Sequence, residues 1–234
     1  MAHPTPPHSQ SAGVSRPAVV LFDLDGTLVD SAPDLALAAN VQRQRHGLPQ
    51  LPEHAYRPLV GSGARGMIRV GWGKAPGDEG YEALRQEFMT LYAERLLVRT
   101  QVFGAMAQVL DHLDASKQPW GIVTNKAHAL AERLVQGLQL AHRSAVLIGG
   151  DTTPHTKPHP APLLEAARRL GVPAHHCVYV GDDHRDVQAG RAAGMTTAAA
   201  AWGYLGDTGP VETWGADVVL HTPAALVQWL NGTT

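Results

Sequence analysis

Two carboxylates, Asp23 and Asp25, stand where an apolar run ends, and they carry the strongest chemical signal in this chain. Residues 19–23 are predicted to form a buried parallel strand, and the Gly26-Thr27 pair after it is typical of a turn. In open α/β sheets, ligands bind just beyond the carboxyl ends of the strands. Two like charges in a partly buried place need a cation or a shared proton to relieve their repulsion, so the pattern indicates a charged ligand site.

A divalent metal is the natural partner for such carboxylates, and Mg2+ in particular prefers carboxylate and carbonyl oxygens. The alternative is a solvated turn that is simply rich in Asp. The apolar run before Asp23 favours the metal site, because nothing else in the sequence explains a charged group inside that run. Mg2+ is therefore the expected cofactor.

Three further segments place polar side chains at the ends of predicted elements. WGIVTNK ends in Thr124 and Asn125, whose hydroxyl and backbone N–H suit a phosphate oxygen; a helix cap is the alternative. HTKPHPAP holds Lys157 in a proline-rich loop, where a surface lysine is the alternative. VYVGDDHRD repeats the opening pattern with Asp182 and Asp186. Together these segments predict a single site assembled from distant parts of the chain.

Alternating short apolar runs and helical stretches supply the elements that must position these groups. This alternation predicts a doubly wound parallel sheet of the α/β class. Strands are predicted at residues 19–23, 120–124, 145–149, 177–181, 197–201 and 218–220, and helices at 106–115, 127–136, 160–170 and 186–193.

The interval 32–100 has helical periodicity at 34–45 and 80–97 but no convincing strand. So long a strandless interval between the first two strands of the sheet predicts an inserted helical cap domain. The α/β core domain is then expected at 17–31 and 101–234. Residues 1–16 are predicted to be a disordered tail, in which His3 and His8 are most simply solvated.

Composition excludes several classes of protein. With 234 residues, 44% hydrophobic content and a net charge of -2, the chain is an ordinary globular protein with no basic surplus for nucleic acid. A nucleic-acid partner is therefore not expected. A membrane partner is not expected either, because no apolar stretch is long enough to cross a bilayer. The single cysteine, Cys177, is predicted to be a buried structural thiol, and a cytoplasmic location is expected.

Four motifs, in order, resemble those of the haloacid dehalogenase superfamily: DLDGT, the Thr-Asn turn, KPHPAP and GDDHRD. Most members of that superfamily are Mg2+-dependent phosphatases with a doubly wound core and a helical cap inserted at this same point. The resemblance implies that Asp23 is the nucleophile and Asp25 the general acid/base, with Thr27 supporting their loop. An aspartyl-phosphate intermediate is implied as well.

The same resemblance assigns the remaining roles. Thr124, the Asn125 amide and Lys157 would bind phosphate oxygens, and Lys157 would also neutralise the nucleophile. Mg2+ would be held by the Asp23 carboxylate, the Asp25 backbone carbonyl and Asp182. Asp186 would stabilise the metal ligands without binding the metal itself, while Asp183 and His159 receive no firm role.

The segment GSGARG at 61–66 matches a dinucleotide-binding pattern, but no strand precedes it and no βαβ unit surrounds it. It is predicted instead to be a flexible connection between helices. The resemblance implies that this cap loop faces the core, where Gly63 and Arg65 would contact the substrate.

Within the superfamily the resemblance is strongest to the phosphoglycolate phosphatase group, which implies a small phosphate ester as the partner and 2-phosphoglycolate as the substrate. A related group acts on N-acetylmuramic acid 6-phosphate, and the WGIVTNK segment is similar to it, so this substrate stays open. A phosphosugar mutase and a non-catalytic scaffold of the same fold stay open as well. Phe103-Gly104-Ala105 departs from the group's usual Pro-Gly at the return to the core. The expected assembly is a monomer or a homodimer.

Overall fold

A six-stranded parallel sheet lies at the centre of the computed structural model, which describes residues 17–232. The strands in chain order are β1 (Val19–Phe22), β2 (Val29–Asp30), β3 (Gln101–Val102), β4 (Trp120–Val123), β5 (Leu147–Ile148), β6 (Cys177–Gly181), β7 (Thr196–Ala200) and β8 (Val218–Leu220). The central sheet has the order β5-β4-β1-β6-β7-β8, and β2 pairs with β3 in a separate antiparallel ribbon. The predicted N-terminal tail, with His3 and His8, lies outside the described residues.

Helices connect the strands and cover the sheet. In chain order they are α1 (Ala32–Arg45), α2 (Glu53–Tyr56), α3 (Gly63–Trp72), α4 (Tyr81–Glu94), α5 (Gly104–Ala115), α6 (His128–Gly137), α7 (Ala161–Leu170), α8 (His184–Ala192) and α9 (Pro223–Leu230). Within residues 17–232, none of these helices combines the length and the apolar character needed to span a bilayer.

Successive residues of β1 point to opposite faces of the sheet, and both faces are buried. Val20 and Phe22 belong to the larger apolar cluster, which includes side chains of α5, α6 and α9. Val19 and Leu21 belong to a second cluster with side chains of α7 and α8. Because β1 is buried on both faces, its residues form a continuous apolar run in the sequence. The predicted doubly wound α/β fold is confirmed.

The six predicted core strands are all present, and their ends differ from the prediction by at most two residues. The predicted flexible connection at 61–66 is wrong, because Gly61 and Ser62 end a short 3-10 helix (Arg57–Ser62) and α3 begins at Gly63. Met67 and Ile68 are fully buried, and α3 packs against α1 and α4. A side chain at position 66 would collide with the backbone of Leu59, so this glycine permits close packing. The β2–β3 ribbon and α9 were not predicted.

Helices α1 to α4 lie between β2 and β3 along the chain, and residues 32–100 are called the helical unit below. Within this unit, α1 packs extensively against α4. Apolar side chains recur along α4 at helical spacing, with Leu84, Phe88 and Leu91 all buried on one face. The unit therefore has an apolar interior of its own.

Polar contacts join the beginning and the end of the helical unit. The carboxylate of Asp34, in the first turn of α1, is fully buried and accepts hydrogen bonds from the backbone N–H groups of Arg99 and Thr100 and from the Thr100 hydroxyl, at 2.7 to 3.0 Å. The Tyr204 hydroxyl, from the loop after β7, accepts from the N–H groups of Ser31 and Ala32 at 2.9 and 3.0 Å. These contacts fix the two chain segments where they cross from the sheet to the helical unit.

We expect Asp34→Ala to lower the free energy of unfolding by about 3 kcal/mol, because it leaves several buried donors without an acceptor. Urea unfolding followed by circular dichroism would measure the change. Asp111→Ala is the matched control, since Asp111 is 71% exposed and its ion pair with Arg143 is on the surface; its effect should stay within about 0.5 kcal/mol. Equal effects of the two variants would contradict this account of Asp34.

Candidate active site

The carboxyl ends of three neighbouring strands bring the predicted site residues together. Asp23, Thr124 and Asp182 follow β1, β4 and β6 directly, and they line a cavity of about 340 Å³ whose opposite wall comes from the helical unit. All but one of the predicted site residues line this cavity: Asp23, Asp25, Gly63, Arg65, Thr124, Asn125, Lys157, Asp182 and Asp186. The exception, Thr27, is bonded to Asp182.

A buried ammonium group lies at the floor of the cavity. The side chain of Lys157 is 2% exposed, and its Nζ is 2.9 Å from Asp23 Oδ1 and 2.7 Å from Asp186 Oδ1. Nζ also donates to the Tyr179 hydroxyl at 2.7 Å. Burial lowers the pKa of Lys157, but Asp186 and Asp23 outweigh it and leave the pKa above its usual value. Lys157 is therefore a fixed positive charge between two carboxylates.

Asp182 is held by neutral donors and has no cation beside it among the described residues. Thr27 Oγ1 donates to its Oδ1 at 2.7 Å, and the backbone N–H of Tyr204 donates to its Oδ2 at 2.8 Å. Gly26 adopts a φ of +91°, and a Cβ there would fall on the Asp182 carboxylate. In the first motif, Gly26 thus leaves room for the Asp182 carboxylate of the fourth motif, and Thr27 donates a hydrogen bond to it.

The acidic groups outnumber the cations at this point of the cavity. Asp23, Asp182 and Asp186 each offer a carboxylate oxygen, and these oxygens lie within 4.8 Å of one another, with Lys157 as the counter-ion of Asp23 and Asp186 alone. Burial raises the pKa of Asp23 to about 6, although Lys157 acts against it. Burial, with Asp23 and Asp186 nearby, raises the pKa of Asp182 well above its usual value. Three carboxylates against one ammonium suit a divalent cation with oxygen ligands, so these residues fit Mg2+.

The carboxylate of Asp25 pairs with a second lysine, Lys126, and not with Lys157. Lys126 Nζ donates to both of its carboxylate oxygens, at 2.9 and 3.0 Å, and the Ser31 hydroxyl donates to Oδ1 at 2.5 Å. Lys126 is 7% exposed in its side chain. Lys126 was not predicted as a site residue, because a lysine after a Thr-Asn turn has no local feature that distinguishes it from a surface residue.

Thr124 and Asn125 occupy the turn after β4. Thr124 is buried, and its hydroxyl accepts from the backbone N–H of Lys126 at 3.2 Å. The Asn125 side chain forms a reciprocal pair with the backbone of Lys157: Oδ1 accepts from its N–H at 2.9 Å, and Nδ2 donates to its carbonyl at 3.0 Å. This amide therefore fixes the loop that carries the ammonium group, a function the sequence did not indicate.

Asp183, which had no firm role, begins α8. Its carboxylate accepts from the backbone N–H of Arg185, and the Asp186 side chain accepts from the backbone N–H of Asp183, which is a capping box. Arg185 forms an ion pair with Asp183 at 2.7 Å and donates to the carbonyl of Gly61, in the helical unit, at 2.7 Å. The motif after β6 thus contacts the helical unit directly.

The wall contributed by the helical unit combines cations with apolar side chains. Arg65 and Arg85 line it, and Arg65 forms no ion pair with a described residue, whereas Arg85 pairs with the exposed Glu82. Apolar side chains complete this wall, among them Leu35, Val60, Phe88 and Met89. The floor is therefore acidic and the opposite wall basic and apolar.

Comparison with known proteins gives a consistent result. A family model described as haloacid dehalogenase-like hydrolase matches residues 20–200. A phosphoglycolate phosphatase of Xanthomonas campestris pv. campestris is 47% identical over 211 residues, which are 90% of this chain and 95% of that protein. An N-acetylmuramic acid 6-phosphate phosphatase of Pseudomonas putida is 39% identical over the same shares of the two chains. A crystal structure described as a predicted phosphoglycolate phosphatase from Haemophilus somnus 129pt has a TM-score of 0.81 at 26% identity, covering 93% of this chain and 99% of that one.

The raised pKa of Asp23 predicts how stability depends on pH in metal-free protein. Because the folded carboxyl binds its proton more tightly than the unfolded one, this group stabilises the fold below pH 3.8 and loses that contribution as the pH rises through about 6. Urea unfolding of the wild type and of Asp23→Asn, both in EDTA, would measure it. The stability difference should shift in favour of Asp23→Asn across this interval; a constant difference would contradict the prediction.

Proposed function

The chain belongs to the haloacid dehalogenase-like hydrolase family and is a phosphatase of that family, and we propose that it hydrolyses a small phosphate monoester with Mg2+, through an aspartyl-phosphate formed on Asp23. The observation that carries this proposal is the meeting of three carboxylates and the Lys157 ammonium at the strand ends. Each step of the proposed reaction depends on the contacts of these residues.

Asp23 is the proposed nucleophile. Its Oδ1 accepts from the backbone N–H of Leu24 at 2.7 Å and pairs with Lys157, whereas its Oδ2 has no hydrogen-bond partner among the described residues. One oxygen is thus fixed while the other is left for chemistry. In the first step a bond forms from an Asp23 carboxylate oxygen to phosphorus, and the bond from phosphorus to the ester oxygen breaks.

Asp25 is the proposed proton donor and acceptor. In the first step its carboxyl proton goes to the departing alcohol oxygen. In the second step it takes a proton from the water that attacks phosphorus, and the bond from phosphorus to Asp23 breaks to release inorganic phosphate. Asp25 follows Asp23 by two residues in the bend after β1, and both residues line the same cavity. One group thereby serves as acid and then as base.

The proposed Mg2+ ligands are the carboxylates of Asp23 and Asp182 and the backbone carbonyl of Asp25. When bound, Mg2+ supplies positive charge that reduces repulsion between a carboxylate nucleophile and a phosphate dianion. Lys157 has the same electrostatic effect from its own side of Asp23, and Thr124 and the Asn125 N–H are the proposed donors to the remaining phosphate oxygens. Asp186 holds Lys157 in position.

We propose that the helical unit, residues 32–100, is a cap that excludes bulk water from the cavity during the reaction. Its side chains already form one wall, and Arg185 joins it to the floor. Exclusion of bulk water strengthens the electrostatic interactions in the site, while the one water of the second step still reaches phosphorus.

Two substrates are supported by different observations. The 47% identical relative named phosphoglycolate phosphatase favours 2-phosphoglycolate, and Arg65 on the wall suits its carboxylate. The cavity of about 340 Å³, with an apolar wall, has room for a larger alcohol, which favours N-acetylmuramic acid 6-phosphate as the second candidate. We propose 2-phosphoglycolate as the substrate because it is the activity named for the 47% identical relative, which shares more sequence with this chain than the 39% identical one does.

A phosphosugar mutase would use the same groups but transfer phosphate from Asp23 to a second hydroxyl. Release of inorganic phosphate without an isomeric sugar phosphate separates the hydrolase from the mutase. The hydrolase is the better supported interpretation, since the named relatives are phosphatases.

We expect Asp23→Asn to reduce phosphate release to below about a thousandth of the wild-type rate, because the amide is neither a nucleophile nor a good metal ligand. EDTA should stop release by the wild type, and added Mg2+ should restore it. Asp111→Asn, a surface change, is the matched control and should keep full activity. A near-normal rate in Asp23→Asn would contradict the proposed mechanism, and a normal rate in EDTA would contradict the proposed metal.

Measurement of kcat/KM for 2-phosphoglycolate beside N-acetylmuramic acid 6-phosphate tests the substrate. Arg65→Met should raise KM for either carboxylate-bearing substrate by about tenfold, the effect of one charged contact, and leave p-nitrophenyl phosphate almost unchanged. Arg69→Met is the control, because Arg69 lies one turn further along α3 and pairs weakly with Asp207 at 3.7 Å. If neither substrate is hydrolysed efficiently, both named activities fail and only the broader phosphatase activity remains.

A further inference from the structure

Lys126 occupies a position that the proposed mechanism does not use. Its ammonium group donates to both oxygens of Asp25, and on its other side it lies 4.8 Å from the centroid of the Tyr92 ring. Tyr92 belongs to α4 and is 2% exposed. A charged group of the floor is thus enclosed between the proposed acid/base and an aromatic side chain of the helical unit.

The contacts of Asp25 make Lys126 the main determinant of its orientation. Asp25 Oδ1 accepts from Ser31 and Lys126, and Oδ2 accepts from Lys126 alone among the described residues. A proton donor must point at the departing oxygen, and a small misplacement of a catalytic group is costly in rate. The side chain that holds both oxygens therefore controls whether Asp25 points at the substrate.

Lys126 in turn depends on the helical unit. A lysine side chain is long and flexible, and a cation over the face of an aromatic ring is held there by the ring's electrostatic field. The Tyr92 hydroxyl is buried and has no hydrogen-bond partner among the described residues. The ring face of Tyr92 contacts the ammonium group, and its phenol oxygen is near enough for Lys126 to act on the Tyr92 pKa, against the rise that burial causes.

We propose that Lys126 is a positioning residue for Asp25 and that the ring of Tyr92 keeps Lys126 in place when the helical unit covers the cavity. This inference rests on the proposed function and extends it: proton delivery to the leaving group depends on a side chain of the helical unit. Lys126 acts through Asp25 and does not contact the reacting atoms.

Two substrates of similar shape test the proposal. Phenyl phosphate needs proton delivery to its leaving oxygen, whereas nitrophenolate leaves from p-nitrophenyl phosphate with little help. The parameter to measure is kcat/KM, because it covers only the steps up to release of the alcohol and omits the later base-catalysed step. We expect Lys126→Met to lower kcat/KM for phenyl phosphate by about tenfold or more and for p-nitrophenyl phosphate by about threefold or less.

Lys74→Met is the matched control, since Lys74 lies on the surface of the helical unit, outside the cavity, and donates to the carbonyl of Glu79. It should change neither value. An equal loss on both substrates in Lys126→Met would overturn the proposal, because a purely structural role does not distinguish leaving groups. In an Asp25→Asn background, Lys126→Met should cause no further change in the ratio of the two values. A further change there would overturn the proposal too, because Lys126 would then act on the substrate directly.

Tyr92 provides a second test if Lys126→Met does not fold. Tyr92→Leu removes the ring and should reproduce the selective loss on phenyl phosphate, whereas Tyr92→Phe keeps the ring and should retain the wild-type ratio. Tyr56→Phe, a buried tyrosine of the helical unit whose hydroxyl bonds to Asn40, controls for loss of a hydroxyl. A wild-type ratio in Tyr92→Leu would overturn the proposal. If the wild type released no phosphate from either ester, the proposed function itself would fail.

Discussion

The rest of the site depends on one buried ion pair network, in which the Lys157 ammonium lies between Asp23 and Asp186. Without that charge, three carboxylates would meet in a place of low dielectric, at a large electrostatic cost. With it, the group remains short of positive charge, and this deficit suits the site to a divalent cation. Asn125 and Tyr179 hold the lysine in place through hydrogen bonds, so the surrounding loops are organised around it.

Much of the fold and of the floor of the site follows from sequence. The apolar runs before Asp23 and Asp182 predict strands buried on both faces, and the carboxyl ends of adjacent parallel strands lie at one edge of a sheet. That geometry alone brings residues more than a hundred positions apart into one cavity. Lys157 could be predicted as a site residue only from the resemblance of its motif to that of a known family, because it does not follow the end of a strand.

Other parts were beyond prediction because their cause is not local. Lys126 meets Asp25 only after two loops fold over the same edge, and Asp34 meets Thr100 only after the helical unit has formed. The start of α3 at Gly63 was hidden by glycines that usually indicate a flexible loop, whereas here Gly66 serves close packing against Leu59. In each case the tertiary contact gives the residue a role that its neighbours in sequence do not reveal.

The β2–β3 ribbon places the entry to the helical unit beside its exit, with Val29 paired to Val102. The hydrogen bonds of Asp34 lie within the helical unit, whereas the Tyr204 hydroxyl, from outside it, accepts from the N–H groups of Ser31 and Ala32 and donates to Asp30. The two chain crossings between the sheet and the helical unit therefore lie side by side. A foreign segment joined at this ribbon would supply a new wall for the cavity, but it would also have to replace Tyr92 over Lys126 and the Gly61 carbonyl beside Arg185, so an exchange of this unit would change the floor as well.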